Sequence, residues 1–367
     1  MKFKWLPAAV LVLFLGGCTN KGTPQPEKTL EQTAVEIQQA DTVKIGISMP
    51  DTHLDRWAKD GEFLSSNFEE RGCGVILSYA DSSVSKQILD LDMMIASDVD
   101  ILIITPIEMD ALTDVLGKAS KKKIPVVCYD RIITGCDAVK YYVSFDNYKV
   151  GQLQGEYIKT ALDLGNTDKV YTLEITGGDI GDNNAAKFYD GAMDVLNPYI
   201  DSGKLDVRSG QTALEDVNTP EWSTGDAQRR MRKIISEFYT DKAPDALLCS
   251  NDSTAKGVIN ALDENFKKYD CVVTGQDGDD DNLAMIKDGR QSMTVFKDNS
   301  QEAQVTFTLC VSLINGQRPD DRMINIAGWD FECVFNDKDY NNGTANVSAF
   351  LLTPEVITKD NLDNIKN

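Results

Sequence analysis

The chain has 367 residues, 42% of them hydrophobic, and a formal net charge of -21. That length exceeds what one hydrophobic core organises, so two domains are expected, with enough apolar residues for a core in each. The acidic balance excludes nucleic-acid binding, which needs basic patches to displace counterions, and suits a secreted protein kept soluble by self-repulsion.

The chain opens with MKFKWLPAAVLVLFLGGC: Lys2 and Lys4, an apolar stretch to Leu15, then small residues before Cys18. Residues 1–17 read as a secretory signal, too short for a comfortable membrane span. The ending Leu15-Gly16-Gly17-Cys18 resembles the lipobox of bacterial lipoproteins, in which the cysteine becomes the lipidated first residue; an ordinary cleaved signal is the alternative. From Thr19 to Asp41 the chain is polar, contains Pro24 and Pro26 and lacks periodicity, so residues 18–41 are expected to form a tether behind a lipidated Cys18. The expected location is extracytoplasmic, anchored to the membrane through that lipid.

Beyond the tether, strand-like runs alternate with helical patterns. VKIGISM, VILSYA, ILIIT, VVCYD and YYVSF come first, then VYTLEI, LDVRSG, ALLCSN and VVTG. Apolar residues at helical spacing fill 57–71, 85–97, 110–120 and 147–162 between them. Repeating βα units predict parallel sheets with helices on both faces, so the fold class is α/β with two doubly wound lobes.

Setting Cys18 aside leaves Cys73, Cys128, Cys136, Cys249, Cys271, Cys310 and Cys333, which cannot all pair. Several lie in apolar runs, where a free thiol behaves as a small core hydrophobe, and a Cys128–Cys136 bridge stays open. Without C-x-x-C or a Cys/His cluster, no metal centre is expected, and no cofactor motif occurs. The acids from Asp277 to Asp281 read as a helix N-terminus rather than a calcium loop.

Six polar tags sit at or just beyond apolar runs: Arg56-Trp57, Asp130-Arg131, Asp182-Asn183-Asn184, Asn251-Asp252, Gln276-Asp277 and Lys297. Ligands of open α/β sheets bind outside the carboxyl ends of the strands, so these tags are expected to converge on one cleft. Arg56, Arg131 and Lys297 are matched by Asp130, Asp182 and Asp277, a balance that suits an uncharged polyol; structural salt bridging is the alternative. Trp57 and Trp222 lie in polar surroundings and could cover the C–H faces of a sugar ring, whereas core packing is the usual fate of tryptophan. Asp182, Asn184 and Asn251 suit hydroxyl recognition, and their types also suit helix N-caps. His53, the sole histidine, reads either as a further ligand contact or as a solvated loop residue.

The tags, with VSFDNYKVGQLQG, VLNPYIDSGKL, SNDSTAKGVINAL and LLTPEVITKDN, closely resemble the periplasmic sugar-binding proteins of the D-xylose-binding type and the related multiple-sugar receptors. The resemblance runs from about Val43 almost to the end. It implies the type I periplasmic-binding-protein fold, two lobes joined by three crossings, near Phe145 to Asn147, Gln276 to Gly278 and Lys297. The implied lobes are 42–146 with 277–296 and 147–276 with 297–367. It also implies a monomeric, non-enzymatic protein that binds a monosaccharide, a xylose-like aldopentose or an aldohexose, through Arg56, Trp57, Asp130, Arg131, Asp182, Asn184, Trp222, Asn251, Asp277 and Lys297. The partner is an ABC importer permease or, alternatively, a histidine kinase or chemoreceptor. The absence of G-x-S-x-G, H-E-x-x-H and a Walker loop agrees with a non-catalytic role.

Overall fold

The computed structural model describes residues 42–364. The expectations placed on residues 1–41, including lipidation of Cys18, lie outside the described residues.

The first lobe begins with β1 (Lys44–Met49), α1 (Asp55–Glu69), β2 (Gly74–Tyr79), α2 (Val84–Ala96), β3 (Ile101–Ile104), α3 (Thr113–Lys122), β4 (Val126–Tyr129) and β5 (Val139–Phe145). β1, β3 and β4 are almost wholly buried, as inner strands of a parallel sheet covered on both faces require, and the edge strand β2 is half-buried. Alternation sorts the side chains: Ile45, Ile47, Ile101, Ile103, Val127 and Tyr129 enter one core layer, and Leu102, Ile104, Val126 and Cys128 the other. Gly46 points into the second layer, where a Cβ would fall 2.8 Å from the end of the Leu102 side chain, so a larger residue would have to displace that side chain.

The chain then enters the second lobe through α4 (Asn147–Ala161), followed by β6 (Tyr171–Thr176), α5 (Asn183–Asp201), β7 (Leu205–Asp206), α6 (Thr224–Phe238), β8 (Ala246–Cys249) and α7 (Asp252–Asn265). Next come β9 (Val272–Val273), β10 (Gln276–Asp277), α8 (Asp280–Asp288) and β11 (Met293–Phe296). The chain returns to the first lobe with α9 (Asn299–Ile314), α10 (Asp321–Ala327), β12 (Cys333–Asn336) and β13 (Ser348–Leu352), and ends in the second with β14 (Glu355–Thr358).

Sheet pairing fixes these memberships. β13 lies parallel to β5 and extends the first sheet to the order β12-β13-β5-β4-β3-β1-β2. β11 pairs with β10 and, antiparallel, with β14, beside the four-stranded sheet β7-β6-β8-β9. The lobe boundaries drawn from the sequence are therefore corrected: 277–296 belongs to the second lobe, and 299–352 to the first. Gln276 to Gly278 is no crossing. The crossings lie between Phe145 and Asn147, between Phe296 and Asn299, and between Leu352 and Glu355. The cysteines from Cys73 onward are all free, so no Cys128–Cys136 bridge forms.

Two glycines set how α4 and α5 meet. A Cβ on Gly151 would lie 2.0 Å from the Phe188 carbonyl oxygen, and one on Gly191 would lie 2.1 Å from that of Tyr148. The helices thus touch backbone to backbone, which carries the start of α5 toward the cleft between the lobes. Gly151→Ala should overpack this contact and lower stability by about 1–3 kcal/mol. Thermal unfolding checks this, and an unchanged midpoint would count against a fixed α4–α5 spacing.

Candidate functional site

The cleft is built from strand ends and helix starts. Arg56 and Trp57 occupy the first turn of α1, Asp130 and Arg131 follow β4, and Asp182 and Asn184 open α5. Asn251 follows β8, Asp277 ends β10, and Lys297 follows β11. Trp222 lies in a short helical turn, Pro220–Trp222. All ten side chains line one cavity, together with Leu54, Phe188 and Gln276. His53 is exposed and does not line it.

Charges dominate the cavity wall. Arg56 Nη2 donates to Asp130 Oδ2 at 3.0 Å and to Glu302 Oε2 at 3.3 Å, and Arg56 Nη1 lies 3.9 Å from Asp277 Oδ1. Lys297 Nζ lies 3.6 Å from Asp130 and 3.5 Å from Asp277. Arg131 Nε and Asp182 Oδ2 form an ion pair at 2.8 Å. Each of the Arg131–Asp182, Arg56–Asp277 and Lys297–Asp130 pairs spans the two lobes or a crossing. Burial works to raise the Asp130 carboxyl, but Arg56, Lys297 and Arg131 outweigh it and hold it well below the usual carboxylate range. Burial raises the Asp182 carboxyl, with Arg131 opposing. Desolvation acts to lower the Arg56 guanidinium, yet Asp130, Asp60, Glu302 and Asp277 keep it firmly charged.

The helix-capping alternative and the cleft role coexist in the structure. Asp182 Oδ1 caps α5 by accepting from Asn184 N at 2.9 Å, while its other oxygen faces Arg131. Asn251 Oδ1 accepts from Thr254 N at 2.9 Å in a capping box, leaving its amide nitrogen 3.4 Å from Asp277 Oδ2. Asn184 spends its amide on protein partners: its nitrogen donates to the Asp130 carbonyl at 2.9 Å, and its oxygen accepts from Asn147 at 2.9 Å.

Three lining residues hold left-handed backbone: Asp130 at φ 60°, Trp222 at φ 56° and Asp277 at φ 110°. Such conformations cost about 1–3 kcal/mol each and persist where their surroundings fix them. The Asp130 carbonyl accepts from Tyr142 Oη at 2.9 Å, Ser144 Oγ at 3.0 Å and Asn184. Asp277 is held by buried Asp252, whose Oδ2 accepts from Gly278 N at 2.9 Å and Asp279 N at 3.0 Å. Trp222 rests on Gly178, where a Cβ would fall 2.0 Å from the indole.

The two indoles approach from different lobes. The Arg56 guanidinium lies 4.1 Å from the Trp57 ring centroid, and Phe188 meets Trp222 edge-on with centroids 6.2 Å apart. Trp57 Nε1, Trp222 Nε1 and Gln276 Oε1 are buried and have no hydrogen-bond partner among the described residues. Sequence reasoning missed Leu54, Phe188, Asp60 and Glu302. Phe188 and Leu54 carry only the signal of core residues, and Asp60 and Glu302 read as ordinary acids on helices.

A periplasmic binding protein domain model matches residues 45–318, and the chain belongs to that family. It is 37% identical to the multiple sugar-binding periplasmic protein of Azospirillum brasilense, over 88% of this chain and 87% of that one. It is 34% identical to the D-xylose-binding periplasmic protein of Escherichia coli K12, over 88% and 89%. Among solved structures, an ABC transporter solute-binding protein from Clostridium phytofermentans with bound β-D-glucose shares 42% identity at a TM-score of 0.81, covering 88% of this chain and 95% of that one. By family and fold the chain is a binding protein of the type I periplasmic class and not an enzyme.

Gly178→Ala should push the Trp222 indole out of its seat. The expected result is a red-shifted tryptophan emission with stronger acrylamide quenching, in a protein that still unfolds cooperatively. An unchanged spectrum would show that Gly178 does not seat the ring.

Proposed function

We propose that the cleft binds one monosaccharide, an aldopentose or aldohexose, and that the protein hands it to an ABC sugar importer. The observation that carries this is the wall itself: three cations and three carboxylates in balance, with two indoles entering from opposite lobes. A sugar phosphate or amino acid would leave an unmatched charge to desolvate, whereas a neutral polyol presents hydroxyls that both donate and accept. The buried Trp57 Nε1, Trp222 Nε1 and Gln276 Oε1 offer such hydroxyls two donors and an acceptor. The printed names of the relatives, sugar-binding and D-xylose-binding, and the glucose in the Clostridium protein support the same reading. In this reading Arg56, Asp130, Arg131, Asp182, Asn251, Asp277 and Lys297 supply hydrogen bonds, Trp57 and Trp222 cover the ring, and Asn184 fixes Asp130.

Titration calorimetry with D-glucose and D-xylose tests it. A dissociation constant of about 1 μM, or about 8 kcal/mol, is expected for at least one of them. Trp222→Ala should weaken binding tenfold or more. Silence from every common aldose, in heat and in tryptophan fluorescence, would falsify the sugar reading.

The same reading places the protein outside the cytoplasm, held by lipid on Cys18. A single acyl chain binds a membrane only marginally, so a diacylglycerol on Cys18 is the expected anchor. Cys18→Ser should shift the protein from the membrane fraction to the soluble one. Recovery of wild-type protein wholly soluble and without lipid by mass spectrometry would end the anchoring proposal.

A further inference from the structure

Behind the cleft wall lie two carboxyls that the charge balance of the site does not use. Arg56, Arg131 and Lys297 are matched by Asp130, Asp182 and Asp277. Asp60 and Glu302 are additional, and both are buried, at 3% and 0% exposure. Asp60, one turn along α1 from Arg56, places Oδ2 3.7 Å from Arg56 Nη2. Glu302, in the first turn of α9, places Oε2 3.3 Å from the same nitrogen. Asp60 Oδ2 and Glu302 Oε1 have no hydrogen-bond partner among the described residues. Fully buried Tyr129 lies beside both.

We propose that Asp60 and Glu302 are positioning residues that clamp the Arg56 guanidinium from behind, and that closure of the cleft on a sugar takes up a proton into this pair. The proposal rests on the monosaccharide reading above. The geometry makes one guanidinium nitrogen shared by three acids, Asp60, Asp130 and Glu302. One guanidinium nitrogen drawn toward three anions at 3.0, 3.3 and 3.7 Å is not held by a single partner, and two uncompensated buried charges are strongly disfavoured. Protonated carboxyls behind Arg56 solve both problems: Glu302 still accepts its hydrogen bond and Asp60 stays beside it, while Asp130 and Asp277 supply the countercharge.

The surroundings favour that state. Asp60 faces Arg56 on its own helix, Tyr79 on β2, Tyr129 and Asp130 at the end of β4, Lys297 at the second crossing and Glu302 on α9. Burial pushes its carboxyl up to about 7 against the opposing pull of Arg56. Burial and then Asp130 push Glu302 well above the ordinary range. Burial is the largest influence on both, and on this proposal opening of the cleft, whose wall Arg56 and Trp57 line, admits water behind them. The open form therefore binds the proton less tightly than the closed form. Linkage then requires that closure take up a proton, and that affinity fall as pH rises through about 7.

Calorimetry with D-glucose and D-xylose at pH 6, 7 and 8.5 tests this on the full-length protein. For the sugar bound, the wild-type dissociation constant should rise at least threefold from pH 6 to 8.5. Asp60→Asn, which is neutral at every pH, should flatten that profile. Glu302→Leu should weaken binding at least tenfold at pH 7, and Glu302→Gln should recover affinity to within threefold of wild type, since a neutral amide keeps the acceptor. A sugar-binding Asp60→Asn protein that retains the wild-type slope, or a Glu302→Gln protein as impaired as Glu302→Leu, would overturn the proposal and leave the sugar reading intact. If wild type binds no aldose, both readings fall together.

Discussion

Everything at the cleft depends on the pairing of buried charges across two lobes. In bulk water two unit charges 4 Å apart attract by about 1 kcal/mol, and near a protein surface by about 4 kcal/mol, while removing each ion from water costs several kcal/mol. The network of Arg56, Asp130, Asp277 and Lys297 is therefore close to break-even by itself. It does not glue the lobes together, but it penalises any arrangement that buries one member without its partners. A ligand that supplies hydrogen bonds to the remaining donors and acceptors tips such a balance, and this is the condition for closure to report binding.

That balance requires the charged groups to stand in fixed places, and the backbone shows how. Asp130, Trp222 and Asp277 are held in left-handed conformations at three separate strand ends or turns. Each is over-determined by buried groups that never line the cavity: the hydroxyls of Tyr142 and Ser144 for Asp130, Gly178 for Trp222, and the Asp252 carboxyl with Gln291 and Thr294 for Asp277. Gln154 adds a further tie, donating from α4 to the carbonyls of Cys249, Ser250 and Gly275 and so joining the loops that carry Asn251 and Asp277. The polar residues buried beneath the site are thus its scaffold, and the strain they hold is local to the residues that face the cleft.

The polar tags were legible because a strand end in a parallel sheet is a defined place, and a polar residue there follows an apolar run that makes it conspicuous. The lobe boundaries were not legible. β10 has two residues and β11 four, too few for a pattern, and α9 carries apolar residues on most of its faces because it lies against the first lobe's core beside α1. The packing of α9 on α1 and the register of Ser348–Leu352 on Tyr141–Phe145 return 299–352 to the first lobe, and contacts between segments some two hundred residues apart leave no local trace. Glu302 was hidden for a related reason: an acid in the first turn of a helix is what the helix dipole favours anyway, so nothing in its neighbourhood distinguishes a surface acid from one buried under a guanidinium.

Lys297 shows why the corrected crossings matter to function. It is 2% exposed and stands at the second crossing, immediately after β11. One of its carboxylate partners, Asp130, belongs to the first lobe, and the other, Asp277, to the second. Its ammonium also lies 5.8 Å from the ring of Phe145, the last residue before the first crossing, and 5.5 Å from Phe188 on α5. A rotation about the crossings cannot keep all four neighbours of a single ammonium group in place. Any opening of the cleft about these crossings must then change which partners Lys297 holds, so this one buried cation is where the geometry of the hinge and the electrostatics of the cleft become the same constraint.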